Sequence, residues 1–278
     1  MSDTLNLKSS REINLMRPSG LAVWQALQIA TTLAVPGKTT GEIDAAVRDY
    51  YEQLDAEPLF LNYPNSVPGK PDFPGVTCTS LNQQVVHGIP GRRVLEEGDV
   101  LSIDTGCRIH QWCGDSAVTL PIGEVDPEVQ RLLDVTAATL QMAIDLIPVK
   151  KKWSEVAVEM QTFVNDAGFT AVENFVGHGI GQNMHEPPQV PNYRSKNLQS
   201  RDDFELEPGI VIAVEPMVNV GTKRVIAESD HWTMSTADGK PSAHFEHTIA
   251  ITEDGLRILT AAPVDQEELD CLLPIAAK

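Results

Sequence analysis

The sequence predicts an α+β fold made of two similar halves, because the order of its segments repeats. Two helical patterns followed by apolar strand patterns occur twice along the 278 residues. The run Glu97-Gly-Asp-Val-Leu-Ser-Ile-Asp104 is matched 111 positions later (215 − 104) by Pro208-Gly-Ile-Val-Ile-Ala-Val-Glu215. Val35-Pro36 is likewise matched 112 positions later (148 − 36) by Ile147-Pro148. The two offsets differ by only one residue, which a chance similarity of the segments would not produce in general. We therefore predict a pseudo-symmetric fold with a shared sheet.

Hydrophobic periodicity and turn residues divide each half into helices and strands. The predicted helices cover residues 9–33, 39–54, 127–146 and 153–167. The predicted strands cover residues 76–86, 170–176, 210–219, 223–229, 244–252 and 256–260, with a hairpin over 100–120 and irregular structure over 57–75 and 177–191. Within the 9–33 pattern, the helix itself is expected to start at Pro18, because proline would kink a helix interior and suits a first turn. Thr39 and Glu42 have the spacing of a capping box.

The central hairpin carries two carboxylates on an apolar background. Asp104 ends an apolar run, the chain turns through Gly106, and it returns to Asp115. This path brings the two acids together on a sheet that should be largely buried. Two buried like charges need a counter-charge. An ion pair with Arg108 or Arg131 would supply one, and so would a metal ion.

Further residues of the kind that bind metal ions occur elsewhere on apolar segments. Val-Ile-Ala-Val-Glu215 ends on a carboxylate, Ala-His-Phe-Glu246 carries another, and His178 lies between glycines. Together with Asp104 and Asp115 they make four carboxylates and one imidazole. Four negative charges match two divalent cations, as in paired-metal hydrolytic centres. One acid could be structural, but four acids on apolar strands indicate a metal site.

Composition narrows the class of protein. There are 21 basic and 39 acidic residues and a net charge of −18, which argues against nucleic acid and anionic membranes as direct partners. No apolar stretch reaches transmembrane length, and the first residues lack the features of a signal peptide. The four cysteines (Cys78, Cys107, Cys113 and Cys271) lack zinc-ribbon spacing. We therefore expect reduced thiols in a cytoplasmic protein.

Several common catalytic motifs are absent. The glycines around His178 lack the GxGxxG spacing and the lysine of a phosphate loop. His185-Glu-Pro-Pro begins like the zinc motif HExxH, but position 189 is glutamine and the prolines oppose a helix. No GxSxG serine motif is present. His87 follows a predicted strand and precedes Gly-Ile-Pro, a position that suits a cleft as well as a structural role.

Taken together, the motifs resemble those of the type I methionine aminopeptidases. The matching segments are His87-Gly-Ile-Pro, Ile103-Asp104…Gly114-Asp115, Gly177-His178-Gly-Ile-Gly…His185-Glu-Pro-Pro, Glu215-Pro-Met and Glu246-His-Thr-Ile. This resemblance spans residues 10–260 and implies the pita-bread fold, a pseudo-two-fold antiparallel sheet covered by two helix pairs. It implies a single domain over 1–278, with halves of about 10–120 and 121–260. No long insertion separates His185 from Glu215, and no cysteine-rich segment precedes the motifs. In both respects the sequence resembles the short bacterial type I enzymes, which also lack these features.

The resemblance also implies roles for individual residues. Asp104, Asp115, His178, Glu215 and Glu246 would hold two divalent metal ions (iron, manganese, cobalt or zinc), with Asp115 and Glu246 bridging both. Glu215 would also move the proton during hydrolysis. The resemblance implies that the remaining site residues would touch substrate: His87 and His185 would contact the scissile peptide, and Phe73, Cys78, Met184 and Trp232 would line the methionine pocket.

The activity implied is removal of the initiator methionine from the N-termini of nascent polypeptides by dimetal-assisted hydrolysis, in a cytoplasmic monomer. Two alternatives stay open: an X-Pro aminopeptidase or dipeptidase of the same fold, and a non-catalytic pita-bread protein that binds peptides or partners. Relatives usually carry Cys in place of Val86 and often Phe in place of Met184. The loop over 59–74 is longer than usual, and Asp104-Thr-Gly is closer to the prolidase type. These departures affect selectivity more than the chemistry.

Overall fold

The computed structural model describes residues 5–196 and 203–272. In these residues the helices are α1 (Ser10–Leu33), α2 (Thr40–Gln53), α3 (Pro127–Leu146), α4 (Trp153–Asp166) and α5 (Gln266–Asp270). The strands are β1 (Glu57–Pro58), β2 (Cys78–Leu81), β3 (Gln84–Val86), β4 (Val100–Ile109), β5 (Trp112–Pro121), β6 (Thr170–Ala171), β7 (Gly177–Gly179), β8 (Glu186–Val190), β9 (Val211–Val214), β10 (Met217–Asn219), β11 (Val225–Ala227), β12 (Met234–Thr236), β13 (Ser242–His244), β14 (His247–Thr252) and β15 (Gly255–Ile258). These strands pair antiparallel in four hydrogen-bonded groups. None of the described helices is long and apolar enough to cross a membrane.

The first helix starts earlier than predicted. Helix α1 begins at Ser10, and Pro18, expected at its start, lies inside it. The Ser9 hydroxyl accepts a hydrogen bond from the backbone N–H of Glu12, and the Glu12 carboxylate accepts one from the N–H of Ser9. An interior proline costs about 3 kcal/mol. The capping box and the complete burial of Met16 ahead of the proline offset this cost.

The first helix pair covers the central hairpin. Helix α2 begins at Thr40 with the predicted capping box between Thr39 and Glu42. Apolar side chains of α1, α2 and β4 form one continuous core, which includes Val23, Ala26, Ile43, Val47, Leu101 and Ile103. Leu101 and Ile103 point away from the cavity described below, so the helices pack on the face of the hairpin opposite that cavity.

The second helix pair covers strands of the other half. Side chains from α3 and α4 pack on β9 and β14, and the core there includes Leu140, Trp153, Met160, Ile212 and Ile249. Trp153 is fully buried, and its indole N–H donates to the carbonyl of Pro191 at 2.8 Å. Two helix pairs therefore cover the strands, as predicted.

Strands that are distant in sequence meet along β5. Strands β4 and β5 pair over ten residues each, and the outer edge of β5 contacts the segment that joins β13 to β14. The backbone N–H of Glu246 donates to the carbonyl of Ala117 at 2.9 Å. The Thr248 hydroxyl accepts from the N–H of Asp115 at 3.1 Å and donates to the carbonyl of the same residue at 2.8 Å. These bonds fix Asp115 and Glu246 beside each other.

The segment 177–191, predicted to be irregular, contains two strands, whereas residues 180–185 between them are irregular as predicted. Strand β7 pairs with both β8 and β9. A Cβ at Gly177 would lie 2.3 Å from the carbonyl oxygen of Ala213, and one at Gly179 would lie 2.2 Å from that of Pro187. The glycines thus allow close strand contact instead of breaking the sheet. The prolines are tolerated because β8 is an edge strand.

The predicted strand over 76–86 is divided by a turn. Asn82 adopts a φ of 54°, in the left-handed region that asparagine tolerates, and separates β2 from β3. Two bonds that hold this turn come from the Asn82 side chain. Its Nδ2 donates to the Asp99 carboxylate, and its Oδ1 accepts from the backbone N–H of Val100 at 2.9 Å. Strand β2 therefore stays beside β4, whereas β3 pairs with β12.

Candidate metal centre

One cavity of about 250 Å³ collects every site residue predicted from the sequence. The predicted residues on its wall are Phe73, Cys78, His87, Asp104, Asp115, His178, Met184, His185, Glu215, Trp232 and Glu246. The wall also contains Val86 and five residues that the sequence analysis did not single out, namely Phe60, Tyr63, Phe175, Val176 and His244. Acids and imidazoles therefore adjoin an aromatic, apolar wall.

Asp104 and Asp115 lie on the same face of the central hairpin. Asp104 is opposite Ala117, and Gly106 is opposite Asp115, so the acids are diagonal neighbours close enough to share a hydrogen bond. A Cβ at Gly106 would lie 3.0 Å from the Asp115 Oδ1. Glycine therefore leaves room for the Asp115 carboxylate. Each acid keeps one buried oxygen, Oδ1, without a hydrogen-bond partner.

Neither arginine considered from the sequence neutralises this pair. The Arg108 Nη1 lies 2.7 Å from Glu57 Oε2 near the far end of β4. The Arg131 guanidinium lies over the ring of Phe169, 4.8 Å from its centre. An arginine counter-charge is thus excluded as the reason for these buried acids.

Glu215 and Glu246 approach the hairpin acids from the other half. Glu246 is 2% exposed, and its Oε1 is buried without a hydrogen-bond partner. Glu215 directly follows β9, and its carbonyl accepts from the side chain of Asn192 at 3.0 Å. Four carboxylates from segments distant in sequence thus converge on one cavity.

His178 directs a nitrogen at these carboxylates. Its Nδ1 lies 2.9 Å from the carbonyl oxygen of Gly179, which can only accept, so Nδ1 carries the proton. The unprotonated Nε2 lies 3.8 Å from the Glu215 Oε1. A backbone carbonyl that fixes the outer nitrogen is the usual support of a metal-binding histidine.

Burial makes the charged forms of these groups unfavourable. Burial, together with the neighbouring charge of Asp115, raises the pKa of Asp104, Glu215 and Glu246 well above the usual range, and burial raises that of Asp115 to about 7. Burial also lowers the pKa of His178 to about 4. Neutral imidazole and unsatisfied carboxylate oxygens are the donors that divalent cations recruit. Ligand atoms of Asp115, His178 and Glu246 lie within 4.8 Å of one another, so the residues fit a metal ion.

His244 is a site residue that the sequence analysis missed. It is 2% exposed, and its Nε2 lies 3.6 Å from the Glu215 Oε2 and 4.0 Å from the Glu246 Oε2 without a hydrogen-bond partner. Burial lowers its pKa to about 3. A signal was present, since residues two apart on an extended chain share a face. The acid at 246 therefore indicated the histidine at 244.

His87 and His185, which were predicted to contact the scissile peptide, both line the cavity. His87, with a φ of 60°, packs edge-on against Phe175 at 5.5 Å between ring centres. The ring of His185 lies 4.4 Å from that of His178, and its Nδ1 lies 2.9 Å from the Tyr63 hydroxyl. Both rings can therefore contact a ligand at the acids.

The predicted pocket residues form one side of the same cavity. Phe73 and Trp232 meet edge to face with ring centres 5.3 Å apart, and the Trp232 indole donates to the carbonyl of Pro71 at 2.9 Å. Cys78 pairs with Asp104 across β2 and β4, which places an apolar side chain next to the acids. Met184 is 8% exposed and packs in the same cluster.

Comparisons with known proteins agree with this geometry. The model of metallopeptidase family M24 matches residues 14–253. The chain is 40% identical over 253 residues to methionine aminopeptidase 1 of Bacillus subtilis, which covers 91% of this chain and 98% of that protein. A solved methionine aminopeptidase from Thermotoga maritima has a TM-score of 0.85 at 37% identity and covers 92% of this chain and 99% of that one. Prolidase from Pyrococcus furiosus has a TM-score of 0.70 at 19% identity and covers 94% of this chain and 67% of that one, which shows a shared fold alone.

The family resemblance and the pita-bread fold predicted from the sequence are both confirmed by these matches. The higher identity and the nearly complete coverage favour the methionine aminopeptidases over the prolidases. The chain therefore belongs to metallopeptidase family M24, among its methionine aminopeptidases.

Proposed function

We propose that this protein removes the initiator methionine from the N-termini of nascent polypeptides. Relatives named methionine aminopeptidase match it nearly end to end. One observation of the site carries the assignment. Four carboxylates, two of them on buried residues and three with a buried oxygen that lacks a partner, adjoin an apolar wall. Such a site suits metal-assisted hydrolysis of a peptide whose first side chain is apolar.

Five residues would hold two divalent cations in this proposal, namely Asp104, Asp115, His178, Glu215 and Glu246. The resemblance implies that Asp115 and Glu246, which lie beside each other, would serve both ions. Asp104 would complete one coordination shell, and His178 with Glu215 would complete the other. Bound cations of this kind lower the pKa of water and polarise a carbonyl group. Oxygen-rich sites accept iron, manganese, cobalt or zinc.

The protein residues would then handle the protons and orient the peptide. Glu215 would accept a proton from the attacking water and pass it to the leaving nitrogen. His185 would donate a hydrogen bond to the oxygen of the scissile carbonyl as negative charge develops there. His87 would contact the peptide near the leaving nitrogen.

The apolar wall would select the first residue. Phe73, Cys78, Met184 and Trp232 would enclose an unbranched thioether side chain, with burial as the main attraction. The substrates would be N-termini of nascent chains, reached in the cytoplasm by a monomer. The net charge of −18 argues against direct contact with nucleic acid or anionic membranes.

An X-Pro peptidase is the second candidate, because Asp104-Thr-Gly is closer to the prolidase type. Hydrolysis of Met-Ala-Ser and of Ala-Pro should be compared in the same preparation, with added Mn²⁺ and with chelator. We expect methionine release that requires metal and little cleavage of Ala-Pro. Preferential cleavage of Ala-Pro would favour the X-Pro alternative, and no cleavage of either peptide with metal bound would favour a non-catalytic role.

A further inference from the structure

The loop over 59–74 brings a tyrosine hydroxyl to one of the proposed catalytic histidines. The Tyr63 Oη lies 2.9 Å from the Nδ1 of His185, within hydrogen-bond distance. The two rings meet edge to face, with centres 5.7 Å apart. Both residues line the cavity that holds the carboxylates.

Backbone hydrogen bonds fix Tyr63 inside this loop. Its N–H donates to the carbonyl of Phe60 and its carbonyl accepts from the N–H of Phe73, each at 2.9 Å. The N–H of the preceding Asn62, whose φ is 60°, donates to the carbonyl of Phe73 at 2.8 Å. Both backbone polar groups of Tyr63 are therefore used, which restricts the direction of its side chain.

A second set of contacts attaches the loop to the turn around residue 231. The Asn65 side chain donates to the carbonyl of His231 at 3.1 Å, and the Trp232 indole donates to the carbonyl of Pro71 at 2.9 Å. Phe73 packs edge-on against Trp232. The loop is thus anchored at both ends and in its middle, which restricts where the Tyr63 hydroxyl can lie.

We propose that Tyr63 is a positioning residue that acts through His185. Neutral imidazole has one donor and one acceptor nitrogen. When the Tyr63 hydroxyl donates to Nδ1, the ring proton stays on Nε2, and His185 can donate it as a hydrogen bond to the scissile carbonyl oxygen. Without the hydroxyl, the proton distributes between both nitrogens and the ring rotates more freely. The inference rests on the proposed function, since that function gives His185 its role.

Kinetics of Tyr63→Phe test this role, because the variant loses only the hydroxyl and keeps the aromatic wall. Tyr193→Phe is the matched control, since Tyr193 is half-buried in another cluster away from the cavity. With Met-Ala-Ser and Mn²⁺, we expect kcat of Tyr63→Phe to fall about 3- to 10-fold, with KM within about twofold of the wild type. The control should match the wild type. An unchanged kcat, or a loss expressed in KM alone, would overturn the proposal.

Nitrogen NMR gives a readout that does not depend on turnover. The full chain, labelled at histidine nitrogens and loaded with diamagnetic Zn²⁺, is compared as wild type and Tyr63→Phe, with His185→Asn used to assign the signal. We expect His185 to hold its proton on Nε2 in the wild type and to populate both tautomers in the variant. A proton on Nδ1 in the wild type, or the same tautomer in both proteins, would refute the role of Tyr63. If the wild type fails to cleave Met-Ala-Ser, the proposed function fails, and the tautomer still decides this inference.

Discussion

At the scale of single residues, the site consists of groups that are unfavourable without a partner. Asp104, Asp115 and Glu246 each bury an oxygen that has no hydrogen-bond donor. Such oxygens cost about 1–3 kcal/mol each when left unsatisfied, and more when charged. The sequence indicated these acids because they interrupt apolar strands. It did not indicate Tyr63, because its approach to His185 depends on how a long loop folds back.

Neutral amides in place of the proposed ligands should abolish activity. Asp104→Asn or Glu246→Gln removes a negative charge from the metal site, so we expect at least a ~100-fold loss of methionine release and reduced metal content. Asp49→Asn, an exposed acid on α2, is the matched control and should be neutral. Wild-type rates at normal metal occupancy would contradict the ligand assignment.

The side chain at position 184 should influence selectivity. Methionine is flexible, so Met184 lets the pocket adapt to neighbouring shapes. Met184→Phe should make the wall stiffer and raise the preference for Met-Ala-Ser over Leu-Ala-Ser. A difference of one methylene in such pockets is worth about 1–3 kcal/mol, or about 10- to 200-fold in kcat/KM. The ratio of the kcat/KM values for the two peptides should therefore rise by no more than this range. If the ratio of the two kcat/KM values does not change, Met184 does not set this selectivity.

At the scale of elements, local signals were predictable and contacts distant in sequence were not. The capping box at Thr39 uses neighbours three residues apart, and the structure has it as predicted. The start of α1 at Ser10 was not predicted, because an interior proline usually disrupts a helix and here the capping box at Ser9 offsets that cost. Strands β7 and β8 were missed because their glycines allow close pairing with other strands, which one segment alone cannot indicate.

The predicted turn at Gly106 is wrong, because Gly106 lies inside β4 opposite Asp115 and the hairpin turns at His110 and Gln111. Gly106 should nevertheless matter for metal binding. A Cβ there would lie 3.0 Å from the Asp115 Oδ1, so Gly106→Ala should displace this carboxylate. We expect metal affinity to fall by about 10-fold or more, measured by calorimetric titration with Mn²⁺. Gly91→Ala is the control, because nothing lies within 4 Å of its Cβ position. If Gly106→Ala and Gly91→Ala bind Mn²⁺ with equal affinity, the Asp115 carboxylate adapts to the added methyl group and the prediction is wrong.

At the scale of the whole molecule, the site lies where segments distant in sequence meet. Asp115 lies on β5 and Glu246 lies between β13 and β14, and hydrogen bonds through Ala117 and Thr248 hold them together. Metal binding should therefore stabilise the junction as well as the site. The single domain with halves of about 10–120 and 121–260 stays a prediction, in which Asp104 and Glu215 occupy equivalent strand ends.

Stability of the metal-free protein should fall as pH rises. Burial raises the pKa of Asp115 from 3.8 to about 7, so the folded state binds more protons than the unfolded state between these values. The contribution of Asp115 to the free energy of unfolding is complete below about pH 4. It declines between about pH 4 and pH 7, by at most about 1.4 kcal/mol per pH unit. Urea unfolding in chelator from pH 5 to 8 measures the decline.

Metal should reverse this loss. At 100 times its Kd, each bound ion adds about 2.7 kcal/mol to the free energy of unfolding. The gain should be larger at pH 8 than at pH 5, because the ligands are then ionised. Identical unfolding curves with metal and with chelator at pH 8 would contradict a metal site at the junction.

The most direct test of a two-metal methionine aminopeptidase is a metal titration followed by methionine release. Metal-free protein is mixed with increasing equivalents of Mn²⁺, and the initial rate on Met-Ala-Ser is measured beside the amount of metal bound. We predict no release in chelator, and an activity that rises with binding and saturates at two ions per chain. Equal release in chelator, or no methionine released with two ions bound, would contradict this function.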